Sequence, residues 1–240
     1  MKRLSLSVVL PCYNEEANVA RTTQAALEVC RRLTDDFEII IVDDGSRDAT
    51  GRIADELAAA NAEVRVIHHG TNQGYGGALR SGFRAARKEW VFYTDGDGQF
   101  DLAEIRRLLP LLSRYDIVSA YRVNRQESMV RRFNGECWSV LVGLVFGVRL
   151  RDVDCAFKLY PRHLFERIEM RARGALIDAE VLAKARYLGY RIGQIGVRHY
   201  PRRAGTGTGA SLKVIARAFY ELVRLTPHIL RVRRRDRIPG

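Results

Sequence analysis

The chain has 240 residues, 47% of them hydrophobic, with 40 Lys+Arg against 28 Asp+Glu and a formal net charge of +12. That length suits one large domain or two small ones with a real core. No run of 18 or more apolar residues occurs, which argues against a bilayer-spanning helix; the longest apolar stretch, 138–148, is short and interrupted by glycine. The charge is uneven: residues 1–121 carry 15 Lys+Arg and 18 Asp+Glu, residues 122–240 carry 25 and 10. A basic half implies an anionic partner, whether nucleic acid, a phosphorylated substrate or an acidic membrane, with a solvated arginine-rich surface as the plain alternative. Cys12, Cys30, Cys137 and Cys155 form no CxxC pair, which points to free thiols in a reducing compartment.

Residues 4–10, LSLSVVL, predict a first strand. The run ends in PCYNEE with no small-residue cleavage site, so it is not read as a signal peptide. A helical segment follows to about Leu33. FEIIIV (37–42) is a continuous apolar run, as expected of a strand covered on both faces. DDGS and a helix near 49–60 come next. VRVI (64–67) precedes HHGTNQGYGG and a helix over about 76–87. WVFYT (90–94) precedes DGDGQFD and a helix over about 102–113; DIVSA (116–120) predicts a fifth strand. This alternation predicts an α/β domain with a mostly parallel sheet and helices on both faces. Right-handed crossovers put the strand C-termini on one edge. PCYNEE, DDGS, NQGYGG and DGDGQ all fall there, where ligands of open α/β sheets bind.

Asp95 and Asp97 are the sharpest local signal. Residues i and i+2 leaving a strand point the same way, and Gly96 and Gly98 let the backbone bend. A glycine-rich turn with solvated acids is the bland alternative, but the position at the ligand edge favours a shared divalent ion, with Gln99 as a neutral oxygen donor. Asp44 is expected to point outward from its strand end, towards a ribose or base. Gly74, Gly76 and Gly77 fit neither GxGxxG nor a GxxxxGK loop and read as a tight turn. His68 and His69 are adjacent and offer no metal-ligand spacing. The tail from 211 to 235 predicts an amphipathic helix with basic flanks, which either lies in an anionic membrane interface or packs on the domain. The stretch 138–148 carries the same two alternatives.

VVLPCYNEE, IIIVDDGSRDAT, NQGYGGALRSG and YTDGDGQFD, followed by RDVDCAFKLY (151–160) and GYRIGQIGVRHYPRRAGTG (189–207), resemble the motifs of family 2 glycosyltransferases, most closely the dolichyl-phosphate mannosyltransferase-like branch that acts on polyprenyl phosphates. The resemblance covers about residues 5–210. It implies a GT-A, Rossmann-like nucleotide-sugar fold over 1–210 with an amphipathic basic tail over 211–240. It also implies a GDP- or UDP-linked donor, Mg²⁺ or Mn²⁺, and inversion at a mannose- or glucose-type sugar. Pro11, Tyr13, Glu15, Val42 and Asp44 would contact the nucleoside. Asp95, Gly96, Asp97 and Gln99 would hold metal and diphosphate, Arg122 and Arg202 would meet phosphate, and Arg131 or Arg132 an acceptor phosphate. A polyprenyl-phosphate acceptor is already ionised and needs no strong base; a hydroxyl acceptor would call on Asp152 or Asp154. The branch often carries Thr-Ser-Gly where this chain has Asp154-Cys155-Ala156, and Ser-Lys after the late glycine where it has TGTGAS. The expected setting is the cytoplasmic face of a membrane, held peripherally or through a membrane-protein partner. The rivals are transfer to a soluble hydroxyl acceptor and nucleic-acid binding. Against the latter, the arginines lack interleaved aromatics.

Overall fold

A computed structural model describes residues 4–123, 129–202 and 212–235, without the side chains of 129–132, 212–213 and 233–235. The first half alternates as the apolar runs dictate: β1 (Ser5–Cys12), α1 (Val19–Leu33), β2 (Asp36–Asp43), α2 (Thr50–Ala60), β3 (Val64–His68), α3 (Tyr75–Ala85) and β4 (Trp90–Thr94). Along β1, Leu6, Val8 and Leu10 face a core that includes Ala26, Leu27 and Cys30 of α1. Val9 faces the opposite core, with Ala78, Leu79 and Phe83 of α3. Successive side chains point to opposite faces, so a strand covered on both sides is mostly apolar, and its buried polar groups are paired, as Ser7 Oγ donates to Glu38 Oε1 at 2.7 Å.

The expected helix over 102–113 is broken. A short α4 (Ile105–Leu108) lies between 3₁₀ turns at Leu102–Glu104 and Leu109–Ser113. Pro110 cannot donate a backbone hydrogen bond, which stops a continuous α-helix. After β5 (Ile117–Val123) and α5 (Met129–Phe146) come β6 (Phe157–Pro161), α6 (Leu164–Arg167), α7 (Leu176–Tyr187), β7 (Ile192–Arg198) and α8 (Leu212–Arg235).

The strand order is β3-β2-β1-β4-β6-β5-β7. β6 runs antiparallel to both β4 and β5; the other pairings are parallel. Neither β6 nor β7 follows from the apolar pattern, because Lys158 interrupts the first and Gly193, Gln194 and Gly196 dilute the second.

Both helices divide into a packed and an exposed face. α8 packs against the domain through Ala218, Leu222 and Ile229, while Phe219, Tyr220 and Val223 stay exposed. α5 likewise buries Val142 and Phe146 and exposes Phe133, Val140 and Leu144. The Trp138 and Phe219 rings meet edge to face with centroids 5.6 Å apart, so α5 and α8 touch there.

Candidate active site

The carboxyl edge of the sheet is clasped by its own loops. Asn14 takes a left-handed φ of 55° after β1. Its backbone N–H donates to Ser46 Oγ (3.0 Å), and its Oδ1 accepts from Arg47 N (2.9 Å). Glu15 N donates to Thr50 Oγ1 at 2.7 Å. The loops after β1 and β2 are therefore one unit.

β4 ends at this edge and delivers Asp95-Gly96-Asp97. A Cβ on Gly96 would stand 2.5 Å from Cys12 Sγ and 3.1 Å from the Pro11 carbonyl, so only glycine lets the acidic turn lie on β1. Burial, and for Asp95 also repulsion from Asp97, raise both carboxyl pKa values above the ordinary range. Tyr75 donates to Asp95 Oδ1 at 3.0 Å. Asp97 Oδ1 accepts from Gln99 N at 3.1 Å. Arg202 ion-pairs with Glu15 and has Nη1 3.7 Å from Asp97 Oδ2. Arg202 is carried there by a zip between two segments: Tyr200 N donates to Gln99 O (2.8 Å) and Gln99 Nε2 donates to Tyr200 O (2.9 Å). Gln99 thus keeps its amide oxygen as the atom able to serve a cation.

Beneath this turn lies a buried charge cluster. Lys158 Nζ donates to Asp178 Oδ1 (2.6 Å), Tyr93 Oη (2.8 Å) and Cys155 O (2.6 Å). Tyr93 also donates to Asp178. Lys158 and Tyr93 are wholly inaccessible and Asp178 nearly so. Nearby, Arg122 on β5 holds Asp152 in a bidentate pair, Nε to Oδ2 at 2.8 Å and Nη2 to Oδ1 at 2.9 Å. Asp154 accepts from Trp138 Nε1 at 3.2 Å. Burial and then Asp178 push its pKa up to about 7.

Residues 7–169 match the family model for glycosyl transferase family 2. The chain belongs to that family. This family 2 glycosyltransferase is 32% identical over 234 residues to the undecaprenyl-phosphate 4-deoxy-4-formamido-L-arabinose transferase of Pectobacterium atrosepticum, spanning 95% of this chain and 69% of that one. It is 32% identical over 214 residues to glycosyltransferase AglD of Haloferax volcanii, spanning 83% of this chain and 34% of AglD. Among solved structures it resembles mannosyl-3-phosphoglycerate synthase from Rubrobacter xylanophilus, with TM-score 0.70, 20% identity and 95% and 74% of the two chains covered. It also resembles glucosyl-3-phosphoglycerate synthase from Mycobacterium tuberculosis with Mn²⁺ and UDP-glucose, with TM-score 0.70, 21% identity and 99% and 80% covered. At that identity the likeness is one of fold, and the fold is GT-A.

Within the transferase, Tyr13, Glu15, Asp95, Gly96, Asp97, Gln99 and Arg202 gather at one edge, and Pro11 borders it through its carbonyl. Three expectations need correction. Asp44 does not point outward: it is buried, and its oxygens accept from Gln73 N (2.8 Å), Gly74 N (2.9 Å) and the His69 ring (2.6 Å). Three donors from the loop after β3 outcompete water for it. Val42 is fully buried, its side chain in the core with Phe83 and Ala78 of α3, so no side-chain contact to a nucleoside is open to it. Asp152 places both oxygens on Arg122, which makes it a poor base and leaves Asp154 as the better-placed carboxylate. Arg131 and Arg132 lie in α5, but their side chains fall outside the described residues. Tyr75, Lys158 and Asp178 escaped the sequence reading. The signal was present for Lys158: a lone charge between Phe157 and Leu159 in an apolar strand needs a buried partner.

Proposed function

We propose that this enzyme transfers a sugar from a nucleoside-diphosphate donor to a polyprenyl phosphate at a membrane surface. The observation that carries the reading is the buried Asp95–Asp97 pair at the ligand edge of a family 2 fold, in a chain whose relative at 32% identity is named for undecaprenyl phosphate. Glu15 and Asp97 share Arg202, Asp95 is bonded to Tyr75, and Lys158 is committed to Asp178, which leaves three carboxylates with Arg202 and Arg21 nearby. That surplus fits a divalent cation. Among the described residues no cluster of three or more His, Cys, Asp or Glu forms a closed cage. An open pair of carboxylates suits Mg²⁺ or Mn²⁺, which fills its shell with water and phosphate oxygens.

Asp95, Asp97 and the Gln99 amide oxygen would hold the cation, which supplies Lewis-acid stabilisation of the departing diphosphate. Arg202 is placed to exchange its carboxylate partners for donor phosphate, and Tyr13, Glu15 and the Pro11 carbonyl border the space for the nucleoside. Arg122 is oriented by Asp152 and adds fixed positive charge. A phosphate monoester has a second pKa near 6, so the acceptor arrives as a nucleophile and the chain need not supply a strong base. Inversion at the sugar follows from a single in-line displacement. The sugar itself is open to test: the relatives named above carry formamido-arabinose, mannosyl and glucosyl names.

The exposed apolar side chains of α5 and α8 support peripheral membrane binding: Phe133, Val140 and Leu144 on α5, and Phe219, Tyr220 and Val223 on α8, in a chain whose second half is strongly basic. No helix among the described residues is long and apolar enough to cross a membrane. Apolar side chains in a basic half suit an anionic interface, here the cytoplasmic leaflet.

A second reading, transfer to a hydroxyl, is favoured by one observation. Asp154, held near pH 7 by burial, has the affinity expected of a general base. A thermal-shift screen of UDP- and GDP-sugars with Mn²⁺, with and without polyprenyl phosphate, tests both. A donor that stabilises only with metal, and a further shift from the lipid phosphate, is expected. A donor that binds equally in EDTA would refute the metal assignment.

A further inference from the structure

The loop NQGYGG, read from sequence only as a tight turn, delivers a side chain into the acidic site. Tyr75 is the first residue of α3, and its hydroxyl donates to Asp95 Oδ1 at 3.0 Å. The loop that presents it is fastened on both sides. Asp44 accepts from Gln73 N and Gly74 N. Gly76 N donates to Arg173 O at 2.9 Å, in a segment whose Arg173 and Gly174 amides are held by Glu221 of α8. Gly74 has a φ of 85°, and a Cβ there would lie 2.6 Å from Arg173 O. The backbone under Tyr75 therefore has little freedom.

Beneath it, the Tyr93 hydroxyl accepts from Lys158 Nζ and donates to Asp178, so its single proton is committed there. With Asp95 Oδ1 committed to Tyr75, Oδ2 is the oxygen left to meet a cation.

The geometry points to Tyr75 as the positioning residue of Asp95, an outer partner that orients this carboxylate for a divalent cation and is itself held by the doubly fastened loop that presents it. This inference rests on the proposed cation site and adds a residue to it. Outer partners of metal-binding carboxylates typically change metal affinity by about 10–100-fold when removed. Tyr75→Phe keeps the ring and its packing and removes only the donor.

The test is Mn²⁺ binding to the full chain in the presence of UDP, read by electron paramagnetic resonance of free Mn²⁺, beside thermal denaturation. Tyr75→Phe is expected to weaken Mn²⁺ binding about 10-fold or more with Tm close to wild type. Gly74→Ala, which strains the loop that presents Tyr75 against Arg173 O, is expected to weaken it in the same direction. Unchanged Mn²⁺ affinity in Tyr75→Phe, with Asp97→Asn defective, would overturn the inference and leave the cation site standing. No saturable Mn²⁺ binding by the wild type would overturn both. If Tyr75→Phe unfolds, Gly74→Ala decides: wild-type affinity in that variant overturns the inference.

Discussion

Gly96→Ala tests how tightly the acidic turn is seated on β1. The added Cβ would lie 2.5 Å from Cys12 Sγ and 3.1 Å from Pro11 O. The first contact is roughly 1 Å inside the 3.5–4.0 Å optimum for non-bonded heavy atoms. β1 is a central strand paired on both sides, so neither it nor the turn can move away freely. Moreover, the Gly96 carbonyl accepts from Thr22 Oγ1 at 3.1 Å, pinning the turn to α1. Overpacking of this kind costs about 1–3 kcal/mol, or a Tm loss of roughly 2–12 °C for a domain of this size. UDP and Mn²⁺ affinity should fall with it. Cys12→Ala removes the nearer obstacle and alone costs about 1 kcal/mol as a buried truncation. The double variant should then be more stable than the sum of the two losses predicts, by about 1 kcal/mol, and incompletely rescued because Pro11 O remains. Urea denaturation of the four proteins gives the cycle. Strict additivity, or a Gly96→Ala variant as stable as wild type, would refute the packing argument.

Two further predictions concern Asp154 and the exposed faces. Because burial raises Asp154 to about 7, its ionisation costs stability: the loss is absent below about pH 4, the ordinary carboxylate range, and complete above pH 7. Asp154→Asn should therefore raise Tm by several °C at pH 8 and leave it unchanged near pH 4; equal effects at both pH values would contradict this, and loss of the acidic limb of the pH–rate profile in this variant would favour the hydroxyl acceptor. Leu144 and Val223, 79% and 77% exposed, should each contribute about 1.5–3 kcal/mol if fully buried in lipid. The Leu144→Ser/Val223→Ser variant should lose at least about 10-fold in binding to anionic liposomes without loss of Tm. High salt should release the wild type because it screens the charge attraction. Wild-type indifference to lipid charge would refute this face.

The first four strands and their loops are legible because buried parallel strands carry apolar runs, here Val8–Leu10, Ile39–Val42 and Val91–Tyr93. That pattern places Asp95, Asp97, Gln99 and Glu15 at the carboxyl edge of the sheet, where the structure also has them. Direction was not legible. Whether Asp44 faces a ligand or its own chain depends on Gln73, Gly74 and His69 arriving from another loop, and a strand-end carboxylate looks the same in either case. The pairing of Arg122 with Asp152, 30 residues apart, is likewise a tertiary fact. β6 hides because its central Lys158 breaks the apolar run, and that lysine exists to meet Asp178 and Tyr93. The buried cluster under the site is thus the part that sequence pattern conceals and packing reveals.

The most direct measurement is transfer of radiolabelled sugar from a nucleoside-diphosphate donor into the organic phase with polyprenyl phosphate. The account predicts lipid-linked product that requires divalent metal, is abolished by EDTA and by Asp97→Asn, and is released as sugar by mild acid. Lipid product of undiminished yield in Asp97→Asn, or transfer from a bound donor only to hydroxyl acceptors, would contradict it.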